Sequence, residues 1–276
     1  MEAKADMEEY YRLQAEARSI YASPDLAWDH PRFPDPPTEH LKPEEFTNLL
    51  ADTVFRHNEQ FHHPFVARLM RGELSPEELK AWAIADFPFL VEVLRSDAMI
   101  VANARDLHEI RKQMHVLIEE AGEDLAGGEY PSHPQLWIRF GAALGLTEQE
   151  IVEAKVHPLM ELFLDSLRLR NLQTRIGEMP GNSRLSERTR SIVYPLWQEV
   201  LERRYHLPAA ALAFFEVHGA ADWGHGNIGK EIIIPRCRTR EEQLRLWTTE
   251  GRRMARSWMR MEIWADAART ATGSKA

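Results

Sequence analysis

From Lys42 onward, apolar residues recur at three- and four-residue spacing between prolines, glycines and capping residues, and this periodicity predicts helices and no sheet. Lys42-Pro43-Glu44-Glu45 opens a helix running to about Arg56, and His63-Pro64 begins or kinks the next. Ser75-Pro76-Glu77-Glu78 combines an N-cap serine, a proline at the first helical position and first-turn acids. The long apolar-periodic run that follows contains Pro88, which predicts a kink. Further helices are predicted over Leu107–Ala121, from His133 to Leu144, from a capping box at Thr147 and Glu150, and from Pro158 to Leu172. Gly177 to Ser183 reads as a loop, with helix resuming near Leu185. Pro208 opens another helix, and Thr239 caps a last one through about Ala268. Its stripe of Trp247, Met254, Trp258, Met261 and Trp264 reads as core. The expected fold is all-α: one helical bundle of seven to nine helices over residues 42–276.

Residues 1–41 differ. A polar helix to about residue 22 precedes Ser23–Pro43, whose six prolines deny a helix its donors, so this stretch is a wrapping arm or a linker.

Composition narrows the function. The 276 residues, 44% hydrophobic and 28% charged, suit a soluble globular chain. A net charge of −9 argues against a nucleic-acid partner, which needs a basic face. No apolar run reaches the roughly 20 residues that span a bilayer, and the acidic N-terminus is not a secretory signal, so a cytoplasmic protein is expected. Cys237 stands alone, which excludes an intramolecular disulfide.

The chemistry concentrates in FFEVHGAADWGHGNIGK, from Phe214 to Lys230. His218, Asp222 and His225 stand at i, i+4 and i+7, so a helix turning about 100° per residue aligns them as one stripe. Two imidazoles and a carboxylate form a ligand set suited to iron or manganese. The same stripe can also be a solvated face, or an Asp–His pair at a packing seam. Gly219, Gly224, Gly226 and Gly229 either weaken this helix until a metal binds or permit close helix packing. Partners for a metal would come from other helices. Glu119 and Glu120 end one predicted helix, His133 begins the next, and Glu187 lies in the helix before the stripe.

These residues carry a resemblance. Glu120-Ala121-Gly122, Ser132-His133-Pro134, Glu187 seven residues before Tyr194-Pro195, and Phe214-Phe215-x-x-His218-x-x-x-Asp222-x-x-His225 follow one order. That order resembles the haem-oxygenase-like di-iron oxidases and oxygenases, which share the fold of thiaminase II and pyrroloquinoline-quinone synthase. The segment HHPFVARLMRGELSPEELKAWA is similar to the superfamily's opening. The resemblance implies two Fe(II) per chain, held by Glu120, His133, Glu187, His218, Asp222 and His225, with O2 as co-substrate. It places one iron on Glu120, His133 and His225, and the other on His218 and Asp222, with Glu187 bridging.

Glu119 is an alternative to Glu120, Glu92 a further carboxylate, and His115 a group supporting the ligands. His57, His62, His63, His157 and His206 read as structural. The implied reactions are C–C cleavage, desaturation, alkene-forming decarboxylation or N-oxygenation of a small amino acid, amine or carboxylic acid. Arg168, Arg170, Arg175 and Arg184 lean this towards a carboxylate-bearing substrate. A homodimer stays open. The alternatives are a metal-free oxidase like quinone synthase, a thiaminase II-like hydrolase that would need Cys237 as nucleophile, and a helical partner-binding protein.

Overall fold

The computed structural model describes residues 2–23, 29–123, 128–172 and 179–273. Its helices are α1 (Glu2–Ala22), α2 (Pro43–Arg56), α3 (Glu59–His62), α4 (Pro64–Arg71), α5 (Pro76–Ala102) and α6 (Leu107–Ala121). They continue with α7 (His133–Ala143), α8 (Glu148–Val152), α9 (Pro158–Leu172), α10 (Met179–Tyr205), α11 (Ala213–Ile233) and α12 (Arg240–Thr272). Among the described residues, extended pairing is confined to an isolated bridge between Glu123 and Glu129.

The helices exceed the seven to nine expected because caps divide stretches that apolar spacing alone would merge. Asn58 caps the four-residue α3, and His63 ends it while its side chain accepts from Phe65 N to start α4. The capping box of Thr147 and Glu150 creates the five-residue α8. Helix α10 begins at Met179, so its backbone takes in most of the segment expected to be a loop; Gly177 and Glu178 lie outside the described residues. Pro88 and Pro195 both lie inside helices.

The main core gathers around Trp82 on α5. Its indole meets Phe65, Trp137, Phe140, Trp197, Phe215 and Trp264 at ring-centroid distances of 5.4 to 6.3 Å. The most extensive helix pair is α10 with α11, and glycines set their approach. A Cβ at Gly219 would stand 2.8 Å from Pro195 Cγ, and one at Gly226 would stand 2.5 Å from Arg188 Cβ. Close packing therefore accounts for these two glycines, while a Cβ at Gly224 meets nothing within 4 Å.

Helix α1 buries Leu13 and Ala17 in the main core, and Asp6 accepts from Trp223 Nε1 at 2.8 Å. Residues 29–41 run against α12: Trp247 Nε1 donates to Pro34 O at 2.8 Å, and Gln243 Nε2 donates to Leu41 O at 2.7 Å. No described helix is long and apolar enough to cross a membrane.

Candidate metal centre

Local sequence devices place each candidate ligand. Gly122, at φ 91°, is the left-handed C-cap of α6 and leaves Glu120 in the last turn. A Cβ there would collide with the Tyr130 carbonyl, so the glycine also admits the returning chain. Ser132 and Gln135 form a capping box that fixes His133 as the first residue of α7. Helix α10 supplies Glu187, and α11 supplies His218, Asp222 and His225 from one face.

All six residues are buried, at 0 to 6% exposure. Their donor atoms form two groups, Glu120–His133–His218 and Glu120–Asp222–His225, each with its ligand atoms within 4.8 Å of one another. Glu187 joins through Oε2, 2.9 Å from His225 Nδ1. The His133 and His218 rings lie 4.1 Å apart. This grouping differs from the expected one: Glu120 is shared, His218 stands with His133, and Asp222 with His225. Glu187 has its Oε1 engaged by Arg184 at 2.7 Å and Arg190 at 3.1 Å and offers its other oxygen to the cluster.

Hydrogen bonds orient the imidazoles. His218 Nδ1 donates to Phe214 O, one turn back, at 2.6 Å, which turns the Nε2 lone pair to the cluster. Glu119 contacts His225 Nε2 at 2.9 Å and His115 at 3.3 Å. Glu119 therefore orients a candidate ligand and stands outside both donor groups, and His115 backs it. Glu92 lies elsewhere, held by Arg168 at 2.7 Å and Arg95 at 3.2 Å.

The electrostatics show what the cluster lacks. Burial alone would lower His225 and His133. Asp222, Glu119 and Glu187 instead push His225 up to about 12, and Glu120, in close contact with His133, raises that imidazole too. Against burial, Arg184, His225 and Arg190 pull Glu187 well below the carboxylate range. Burial raises Asp222 even though Arg190 Nε stands 3.2 Å away. His218 is held well below the ordinary value by burial, His133 and Arg190, so it keeps a free lone pair.

Both Asp222 oxygens, Glu187 Oε2, His133 Nδ1 and His225 Nδ1 are buried without a well-directed hydrogen bond. Acids that draw protons onto neighbouring imidazoles, with lone pairs unmet by N–H groups, suit a divalent cation. The oxygen and nitrogen donors fit iron or manganese.

Sequence reading gives Arg184 to a substrate and passes over Arg190, whereas both engage the cluster. Arg184 is fully buried and binds Asp97 at 2.8 Å as well as Glu187, and Arg190 spans Glu187 and Asp222. The spacing of Arg184 and Arg190 at three residues either side of Glu187 is the signal that was available. Of the arginines expected to meet a substrate, Arg168 is taken by Glu92 and Arg184 by Asp97 and Glu187. Arg175 and the Arg170 side chain lie outside the described residues. A cavity of about 90 Å³ opens beside Glu187 and Arg190.

Cys237 is buried near Thr47, 3.7 Å from its hydroxyl, and burial pushes its thiol up, away from nucleophilic chemistry.

Comparison with known proteins fits this architecture. The profile of the TENA/THI-4/PQQC family matches residues 51–163. A solved structure from Shewanella denitrificans OS217, described as a domain of unknown function with a heme oxygenase-like fold, superposes with a TM-score of 0.64 at 14% identity. That superposition covers 84% of this chain and 94% of that one. The chain thus shares the haem-oxygenase-like fold. Pyrroloquinoline-quinone synthase from Pseudomonas aeruginosa (strain LESB58) is 26% identical over 207 residues, covering 73% of this chain and 79% of that protein. The synthase from Klebsiella pneumoniae (strain 342) is 28% identical over 131 residues, covering 47% of this chain and only 49% of its own length. The family profile takes in Glu120 and His133 but ends before Glu187, His218, Asp222 and His225.

Proposed function

We propose that the protein is a non-haem di-iron enzyme that uses dioxygen to oxidise a small amino acid, amine or carboxylic acid. One observation carries the reading: two buried donor groups, one adding two imidazoles and the other an imidazole and an aspartate, share the carboxylate of Glu120. In it, Glu120, His133 and His218 would hold one Fe(II), and Glu120, Asp222 and His225, with Glu187, would hold the other. Bound iron would supply the electrons and the Lewis acidity for dioxygen chemistry.

The chain's own residues position and exclude. Phe214 O fixes the His218 tautomer, and Glu119 orients His225. Arg184 and Arg190 hold Glu187 ionised against its burial. Phe214, Tyr194 and Trp137 wall the histidine side with aromatic rings and keep water from it; the Phe214 and His218 rings lie 4.2 Å apart. Substrate would enter by the cavity beside Glu187, the one ligand that reaches both the cluster and the cavity lining.

A second reading is a metal-free oxidase. It is favoured by the similarity to pyrroloquinoline-quinone synthases and by Arg184 and Arg190, which already neutralise Glu187 and Asp222.

Anaerobic Fe(II) titration with metal analysis separates the two. The di-iron reading expects about two irons per chain, reduced to one or none in His218→Ala and Asp222→Ala. Iron bound below half an equivalent, or bound by both variants as well as by the wild type, would leave the metal-free reading in place.

A further inference from the structure

The cavity beside Glu187 carries charges that neither the fold nor the candidate metal centre uses. Its wall from α12 presents Arg253, Arg256 and Arg260, and its wall from α3 presents Glu59 and Gln60. Most of the surrounding charges cancel in pairs. Arg260 grips Asp86 with two bonds of 2.7 and 2.6 Å. Asp97 and Glu187 share Arg184, at 2.8 and 2.7 Å. Arg253 bonds Glu250 through Nε.

A positive and a negative group remain over. Among the described residues, Arg256 makes no ion pair with a carboxylate, its nearest acid Glu250 being bonded to Arg253, and Glu59 makes none with a base. The NH2 groups of Arg253 and Arg256 are buried without an acceptor, and so are Glu59 Oε2 and Gln60 Oε1 without a donor. Arg253, Glu59 and Gln60 are 4 to 6% exposed, so bulk water does not satisfy them. Burial and the adjacent Arg253 pull the Arg256 guanidinium down to about 10, and the opposing pull of Glu250 does not offset them. Each unmet buried group carries a desolvation cost that a ligand of matching polarity removes.

We infer that this cavity takes a small zwitterion, an α-amino acid in charge pattern, with its carboxylate on Arg253 and Arg256 and its ammonium on Glu59 and Gln60. A guanidinium pair suits a carboxylate because planar N–H forks match its two oxygens. A carboxylate and an amide oxygen side by side suit the three donors of an ammonium group. The arrangement selects within the substrates named above: a simple amine leaves the arginines unmet, and a simple carboxylic acid leaves Glu59 unmet. Held so, the molecule lies between α3 and α12, with the rest of its length directed along the cavity towards Glu187 and Arg190. The inference rests on the preceding reading only for what happens to the bound molecule.

The test is binding, measured by thermal shift and then calorimetry, with and without anaerobic Fe(II). The common L-amino acids are the probes, tried singly, followed by the deaminated acid and the decarboxylated amine of the best binder. At least one amino acid should bind with a Kd of about 1 mM or tighter. Each analogue lacking one charge should bind about tenfold more weakly or worse. Arg256→Gln and Glu59→Gln should each weaken binding by about tenfold or more, with circular dichroism showing the wild-type fold. Both are single exchanges of similar volume, and Arg256→Lys should recover part of the loss and so separate charge from packing.

No binding by any amino acid at about 10 mM, in either iron state, overturns the inference. So does an amine that binds as well as its parent, or an Arg256→Gln variant that binds like the wild type. Full iron binding with no amino-acid binding would sink this inference alone, and amino-acid binding without iron uptake would sink the di-iron reading alone.

Discussion

The two ends of the α10–α11 pair solve opposite problems. At one end Phe214, Phe215 and Trp197 join the ring cluster around Trp82, where buried surface is apolar and shape complementarity does the stabilising. At the other end, a turn or two along the same helices, His218, Asp222, Glu187, Arg184 and Arg190 put buried charge together. Taking such groups out of water costs several kcal/mol per ion, and their mutual attraction repays it only when every partner is present. The aromatic end therefore stabilises the fold, whereas the charged end draws on that stability and gains specific chemistry. His218 stands at the border, one face against Phe214 and Tyr194 and the other toward the ligands.

The largest expected effect breaks the aromatic end. Trp82→Ala removes an indole that is fully buried against six rings, and should lower unfolding stability by roughly 3–5 kcal/mol in urea denaturation. Iron uptake, assayed where the variant stays folded, should be unchanged. Trp82→Phe should cost under about 1.5 kcal/mol, because its indole N–H has no acceptor to lose. An equal loss in both variants would show that the cluster needs the whole indole and that its packing is more exacting than described.

The charged end should break by a different rule. Arg184→Met leaves Asp97 with no cation and Glu187 with Arg190 and His225, and should cost about 3 kcal/mol. Adding Asp97→Asn to the same chain should recover most of that loss, since the destabilisation comes from the uncompensated charge and not from missing contacts. Additive losses in the double variant, read by the same denaturation curves, would contradict the ionic account.

A third test uses pH at a histidine away from the ligands. Burial lowers His63 to about 4, against a smaller opposing pull from Glu262, while Arg269 and His30 add to the lowering. Between its ordinary 6.5 and about 4 the folded chain thus binds fewer protons than the unfolded one. The associated stability is present above pH 6.5 and is lost as the pH falls towards 4. His63→Asn keeps a side-chain acceptor for Phe65 N but does not titrate. Comparing stability at about pH 7 and 5, the wild type should lose up to about 2 kcal/mol more than the variant. Parallel losses would place the acid sensitivity elsewhere.

The comparison also separates what the chain reveals by itself from what it conceals. Apolar spacing, caps and prolines located most of the helices, since those signals are local. The six candidate ligands were legible because they follow one order along the chain beside recognisable flanking residues, such as Glu120-Ala121-Gly122 and Tyr194-Pro195. Their grouping was not, because which donor atoms meet is set by how α6, α7, α10 and α11 pack, which spacing along one chain does not give. The α12 arginines escaped for a related reason. Arg253 and Arg256 sit among Arg252, Arg260 and the tryptophan stripe, and a sequence does not tell which turn of a helix closes over a cavity.

The smallest effect asks whether the glycines of α11 serve the metal or the packing. Gly224 and Gly226 are two residues apart in one helix, so their intrinsic helix cost is the same, roughly 1 kcal/mol each against alanine. Their surroundings are opposite. Gly224 is exposed with nothing near an added Cβ, and Gly226 would press one to 2.5 Å from Arg188 Cβ. Gly224→Ala should raise stability by up to about 1 kcal/mol and leave iron uptake unchanged. Gly226→Ala should lower it, because α10 must shift to admit the methyl and carries Glu187 with it. If both substitutions stabilise, the close approach of α10 and α11 is not what those glycines provide. If Gly224→Ala abolishes iron uptake, flexibility between Asp222 and His225 belongs to the site itself.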